Sequence, residues 1–241
     1  YNHVYLCPLD GSQPKQLTQG EWDVTTVYGF DAKRKEVYFQ AAKNSPIERE
    51  VYAVSLKGKM REIINKVGVN RANYLININS TAAQPNQYVL CDNKGKTVRV
   101  LEDNHDLVER LKQYNMGEKR FFQINDPAFV MPDGKPVAID AWEVLPPDFD
   151  PNKKYPVLIY VYGGPGHQTV MNQWGHSDFA WTQLLAQHGI ITVSINNRGS
   201  GAQGEVFKKM TYLQLGKYET EDMINLAKYM ARKPYVDAEH I

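Results

Sequence analysis

Residues 156–162 read Pro-Val-Leu-Ile-Tyr-Val-Tyr, a near-continuous apolar run that ends in Gly-Gly-Pro-Gly. A strand apolar at consecutive positions has no face to give to water. It must be covered on both sides, and in parallel sheets helices do this. The following residues supply that cover. DFAWTQLLAQHG (178–189) puts Phe179, Trp181, Leu184 and Leu185 on one broad helical face, with Asp178 as the N-cap and Gly189 as the stop. IITVSIN (190–196) is a second buried strand, and ETEDMINLAKYMARK (219–233) is an amphipathic helix with acids first and bases last. Two strands joined by a helix make a βαβ unit, so this half is expected to open an α/β domain.

The first half follows a different pattern. VYLCPLDGSQPKQLT (4–18) and VYAVSLKGKMREIIN (51–65) share a Val-Tyr opening, a Leu-x-Gly turn and a closing polar-apolar strand. A second echo links EVYFQA (36–41) with QYVLCD (87–92). Both offsets are roughly 50 residues, with several short strands per unit, which is the period of propeller blades. VRVLEDN (98–104) reads as a last strand, and DLVERLKQYN (106–115) carries Leu107, Val108 and Leu111 at helical spacing. KRFFQIN (119–125) and VAIDAWEVL (137–145) then bracket a PDGKP turn suited to a hairpin, and a domain boundary is expected near residue 120.

Hydrophobic residues at 42% and charged residues at 23% allow a real core to be buried. A net charge of +1 is too balanced for a nucleic-acid or membrane-surface partner. No apolar stretch approaches the roughly 18 residues needed to cross a bilayer, so no transmembrane segment is expected. Cys7 and Cys91 stand far apart, and His3, His105, His167, His176, His188 and His240 share no ligand spacing, which argues against a metal site. The opening, YNHVYLCPLDG, enters with an alternating strand already under way and suggests a start inside a larger protein.

A turn that follows a buried parallel strand lies at the carboxyl edge of the sheet, where α/β proteins place their sites. Gly163, Gly164 and Gly166 would let the backbone adopt positive φ and approach a ligand closely. Tyr162 ends the strand with a hydroxyl that, in an acyl-transfer enzyme, could stabilise the negative oxygen of a tetrahedral intermediate. A sharp turn with Tyr162 simply packed satisfies the same spacing. A second cluster, RGSGAQG (198–204), has Gly199, Gly201 and Gly204 at dinucleotide spacing, but not in the first strand-helix turn where that fingerprint belongs. A loop whose glycines and Arg198 shape the neighbouring site fits better. Glu221 and Asp222 read as helix N-terminal charge.

Three stretches, LPPDFDPNKKYPVLIYVYGGPGHQ (145–168), NNRGSGAQGEVF (196–207) and LGKYETEDM (215–223), closely resemble the dipeptidyl peptidase IV group of the prolyl oligopeptidase family. VRVLEDN resembles that group's exit from its propeller. The resemblance implies a fold of β-propeller blades, all-β and partial, over residues 1–120, followed by the N-terminal part of an α/β-hydrolase domain over 121–241. It implies that Tyr162 is an oxyanion donor, with Gly163, Gly164, Pro165 and Arg198 shaping the site. It further implies a serine acyl-enzyme that releases Xaa-Pro or Xaa-Ala dipeptides from peptides with a free amino terminus. No cofactor is implied; a homodimer and an extracytoplasmic location are.

The sequence also departs from the family. An α/β-hydrolase needs a serine on a Gly-x-Ser-x-Gly elbow, then an acid and a histidine. Here Ser194 is followed by Ile195 and Asn196, and Ser200 lies in Gly-Ser-Gly-Ala. PYVDAEHI (234–241) resembles the stretch that leads into the elbow strand, so nucleophile, acid and histidine are expected outside this chain. The family's paired glutamates, which grip a substrate's amino terminus, are expected upstream of Tyr1. Such a piece would be inactive by itself. An acylaminoacyl peptidase or endo-oligopeptidase on the same scaffold, and a non-catalytic binding protein that has lost its serine, are the competing readings.

Overall fold

The computed structural model describes residues 1–64, 68–71, 74–175 and 178–241, the side chains of 64 and 68–71 excepted. The chain packs as two units, Tyr1–His105 with Ala202–Glu205, and Asp106–Gly201 with Val206–Ile241. Residues between that division and the boundary expected near 120 pack with the second unit. Gly117 shows why: its N–H donates to Gln183 Oε1 at 2.7 Å, and Gln183 Nε2 donates back to its carbonyl at 3.1 Å.

In the first unit, β1 (Tyr5–Leu6) and β2 (Lys15–Gln16) form an antiparallel pair. β3 (Asp23–Asp31), β4 (Glu36–Ala42), β5 (Glu50–Ser55) and β6 (Met60–Ile64) form an antiparallel meander in chain order. β7 (Gly68–Arg71), β8 (Tyr74–Thr81), β9 (Gln84–Asp92) and β10 (Thr97–Glu102) form a second one. Whereas β3 is largely exposed, the middle strands of the first meander, β4 and β5, are buried on both faces. On one, Trp22, Phe39 and Tyr52 stack at 6.3 and 5.7 Å between ring centres, beside Val4, Leu17 and Val54. On the other, Tyr38, Val51, Ala53 and Ile63 meet Leu75, Val89 and Cys91 of the second meander. Blades bury themselves against neighbours in this way because one blade cannot bury both faces alone.

The two sequence echoes fare differently. Residues 4–18 and 51–65 are both strand pairs, β1–β2 and β5–β6, though Asn65 lies outside the described residues. The echo of 36–41 with 87–92 joins non-equivalent strands, the second of one meander and the third of the other. The true counterpart of β9 is β5. Each is followed by the same turn: Gly58 N–H donates to Ser55 O at 2.8 Å and Gly95 N–H to Asp92 O at 2.9 Å, with φ of 89° and 86°.

The second unit is built on a sheet of order β11-β12-β14-β13. β11 (Lys119–Ile124) runs antiparallel to β12 (Ile139–Val144), which runs antiparallel to β14 (Ile191–Ile195); β14 is parallel to β13 (Val157–Ile159). A short helix α1 (His105–Leu111) precedes this sheet, and α2 (Phe179–Gln187) joins β13 to β14 as the βαβ reading requires. All five residues of β14 are buried, the polar Thr192 and Ser194 among them. Ile124, Ile139, Ala141, Val157, Ile191, Val193 and Ile195 share one core with Leu226 and Met230. Those two belong to α4 (Lys217–Ala231), which follows α3 (Gly204–Lys208) and a 3₁₀ turn, Lys209–Thr211.

Helix α2 corrects the expected inward face. Trp181 and Leu184 are 53% and 47% exposed, while Thr182, Gln183 and Ala186 are buried. The Gln183 amide, clamped on Gly117, turns the polar side of the helix inward. Asp178 makes no side-chain cap bond. Its carboxylate instead takes the Tyr160 hydroxyl, which raises that phenol above its ordinary pKa.

Candidate active site

The pairing of β13 with β14 continues one residue past the strand, where Tyr160 N–H donates to Val193 O at 2.8 Å. The chain then leaves the sheet. Tyr162 stands 62% exposed, with its ring centre 4.0 Å from that of His167. Gly163 and Gly166 adopt φ of 76° and 72°, a region a side chain would strain. At Gly164 the limit is space, since a Cβ there would lie 2.4 Å from Tyr162 Cε1. Pro165 is exposed at the tip of the turn.

Both glycine clusters meet in one place. Gly166 N–H donates to Gly199 O at 2.8 Å, and Gly201 N–H to His167 O at 3.3 Å. Gly201 carries no side chain because a Cβ would sit 2.6 Å from Gly166 O. The second cluster is therefore a bed for the first.

Beyond the turn, Thr169 and Val170 are tied to the end of β14. Their main-chain N–H groups donate to Asn196 Oδ1 at 3.1 and 2.9 Å, and Asn196 Nδ2 donates to Val170 O at 3.0 Å. Trp142 Nε1 donates to Thr169 O at 2.9 Å, and the Thr169 and Ser194 hydroxyls are 2.9 Å apart. These bonds leave Tyr162 as the free end of a turn held at both sides.

Arg198 lies beneath this surface, 3% exposed. Its Nη2 stands 2.7 Å from Asp222 Oδ1 and its Nη1 donates to Val130 O at 2.9 Å. Burial works against the guanidinium's charge, but Asp222 and Glu221 outweigh it and hold its pKa above the ordinary value. The guanidinium is thus committed inside the protein and offers no charge to a ligand. Asp222 is fully buried with Leu226 and Met230 on one stripe of α4 and is more than helix N-terminal charge. Sequence reasoning missed Asn196 and Asp222. A carboxylate in register with Leu226 and Met230, at i, i+4 and i+8, was the available signal for the second.

Among the described residues, no three His, Cys, Asp or Glu side chains gather to hold a metal ion, and no helix is long and apolar enough to cross a membrane. His176 lies outside the described residues.

The class is therefore an all-β region of propeller type joined to the opening of an α/β-hydrolase domain, which presents a tyrosine on a glycine turn. Residues 1–97 match the dipeptidyl peptidase IV N-terminal region, and residues 176–241 match the prolyl oligopeptidase family. The structure is similar to that of Porphyromonas gingivalis dipeptidyl peptidase 4, with a TM-score of 0.88 and 39% identity over 99% of this chain and 33% of that one. It is also similar to a putative dipeptidyl aminopeptidase IV from Bacteroides ovatus, with a TM-score of 0.81 and 32% identity over 100% of this chain and 35% of that one. A probable dipeptidyl peptidase 4 of Emericella nidulans is 33% identical over 251 residues, covering 100% of this chain and 32% of that protein. The chain belongs to the dipeptidyl peptidase IV group of the prolyl oligopeptidase family. It spans about a third of the length of the curated relatives it matches.

Proposed function

We propose that this chain forms part of a serine peptidase that releases Xaa-Pro or Xaa-Ala dipeptides from peptides with a free amino terminus. Within it, Tyr162 donates its hydroxyl to the oxyanion of the tetrahedral intermediate. The observation that carries this reading is the exposed Tyr162 on a glycine turn braced from both sides, at the carboxyl end of a parallel strand. The names borne by its relatives support the substrate class. Chemistry would run through a serine acyl-enzyme with a histidine base, and Tyr162 would contribute only where negative charge develops. A homodimer and an extracytoplasmic location complete the reading.

The test uses the full-length protein with Gly-Pro-reporter, beside the same substrate with a blocked amino terminus. The expected result is cleavage of the free-amine form alone, reduced by about two to three orders of magnitude in Tyr162→Phe. Cleavage of the blocked form would move the assignment to an acyl- or endopeptidase. Cleavage of neither would leave a binding protein.

A further inference from the structure

We infer that Asp222, acting through Arg198, is a positioning residue for the oxyanion turn; the inference rests on the reading of Tyr162 given above. Asp222 grips Arg198 in two ways. Its Oδ2 accepts the Arg198 main-chain N–H at 2.7 Å, and its Oδ1 accepts Nε at 2.8 Å and faces Nη2 at 2.7 Å. A carboxylate that takes the main-chain and guanidinium donors of one residue fixes that residue's backbone as well as its side chain. The other guanidinium contacts close the arrangement: Val130 O accepts Nη1 at 2.9 Å, Glu221 Oε2 accepts Nη2 at 3.1 Å, and the Tyr218 ring centre lies 4.7 Å away.

What Arg198 holds is the bed of the turn. The next residue, Gly199, gives its carbonyl to Gly166 N–H, and Gly201 N–H reaches the His167 carbonyl. No side chain intervenes, because Gly201 lies directly against Gly166 O. The connection from α4 to Tyr162 thus runs through main-chain hydrogen bonds of short reach, with little slack. Two facing apolar residues would serve stability as well as a buried ion pair does. What the pair adds is direction, and a donor misplaced by about 1 Å costs on the order of a hundredfold in rate.

The experiment uses the full-length enzyme with Gly-Pro-reporter, turnover being normalised to the folded, active-site-titrated fraction. Asp222→Asn keeps the shape but removes the charge and turns an N–H toward the guanidinium. The expected result is a fall in kcat of about 10- to 100-fold with KM within about threefold. In a Tyr162→Phe background the same substitution should cause no further loss, because the donor it positions is already gone. A purely structural role would lower both enzymes by the same factor. Unchanged kcat in Asp222→Asn, or losses that multiply in the double variant, would overturn the inference. Should Asp222→Asn not fold, Arg198→Gln with Asp222→Asn leaves no buried charge and is scored by the same outcomes. A Tyr162→Phe enzyme with undiminished turnover would remove the oxyanion reading and this inference together. An impaired Tyr162→Phe enzyme beside an unimpaired Asp222→Asn enzyme would remove the inference alone.

Discussion

Asn196 and Val170, both buried, are joined by two hydrogen bonds of opposite direction: Val170 N–H donates to Asn196 Oδ1 at 2.9 Å, and Asn196 Nδ2 donates to Val170 O at 3.0 Å. The same Oδ1 also accepts Thr169 N–H at 3.1 Å. One side chain therefore satisfies three main-chain groups next to the glycine turn and fastens the turn to the end of β14.

Asn196→Ala strands those groups away from water. The cost expected is about 2–4 kcal/mol, since an unmet buried polar group is more expensive than a net hydrogen bond is favourable. It should appear as a fall of several degrees in the thermal transition of the α/β unit, read by calorimetry on the full-length protein. A shift under about one degree would mean that the three groups find other partners.

Two alanine substitutions separate the turn's stability from its use. At Gly164 the obstacle is the exposed Tyr162 ring, which can swing away, and φ is not positive there. Gly164→Ala should leave stability within about 0.5 kcal/mol, typical of a tolerated surface change, yet lower kcat by at least tenfold because the phenol is displaced. At Gly201 the obstacle is the Gly166 carbonyl, which belongs to the backbone. Gly201→Ala should lower both the thermal midpoint and kcat. Equal behaviour of the two variants would refute this division.

Some of this was legible in the sequence and some was not, for physical reasons. Apolar runs announced β13 and β14, but only β14 is buried throughout, with Thr192 and Ser194 inside it. β13 is a three-residue strand at the end of its sheet in which Val157 alone is buried, and the run is exposed by the time it reaches Val161. The inward face of α2 was misread because hydrophobicity points to Trp181 and Leu184, whereas Gln183 faces inward to pair with a main-chain amide 66 residues away. Binary patterning counts Asn196, Arg198 and Asp222 as exterior, and their partners are remote in sequence. The blade repeat was half legible: residues 4–18 and 51–65 are both strand pairs, 36–41 and 87–92 fall on non-equivalent strands, and the glycine turns at Gly58 and Gly95 recur because both need positive φ.

Lys119 gives a prediction with a definite sign. Its ammonium sits 4.4 Å from the Trp142 ring centre, and burial pushes its pKa from 10.5 down to about 8. Below pH 8 the folded state carries a charge it holds less well than the unfolded chain does. Between about 8 and 10.5 the unfolded chain binds the proton and the folded one does not, so this group makes stability rise with pH. Lys119→Met should therefore stabilise the α/β unit at pH 7 by about 1–3 kcal/mol, the lower end reflecting the lost ring contact. The gain should shrink as pH rises from 8 and vanish near 10.5. Denaturant unfolding at pH 7, 9 and 10.5 measures it. A gain that stays constant with pH would assign the effect to packing alone.

The clamp between Gln183 and Gly117 is the contact that decides which face of α2 turns inward. Both groups are buried, and a Cβ on Gly117 would lie 2.4 Å from Leu145 O, so the main chain there has no room to shift toward another partner. Gln183→Ala leaves the Gly117 N–H and carbonyl unpaired, and about 2–3 kcal/mol should be lost. Gln183→Leu fills the volume but leaves the same two groups unmet, so it should be no better than alanine. Gln183→Glu restores the acceptor while setting a carboxylate oxygen against the Gly117 carbonyl, and it should recover only as pH falls and the carboxyl regains a proton to donate. Thermal midpoints of the three variants at pH 5 and 7.5 test the ranking. If Gln183→Leu matched the wild type, the inward turn of α2 would have to be explained by shape and not by this pair of hydrogen bonds.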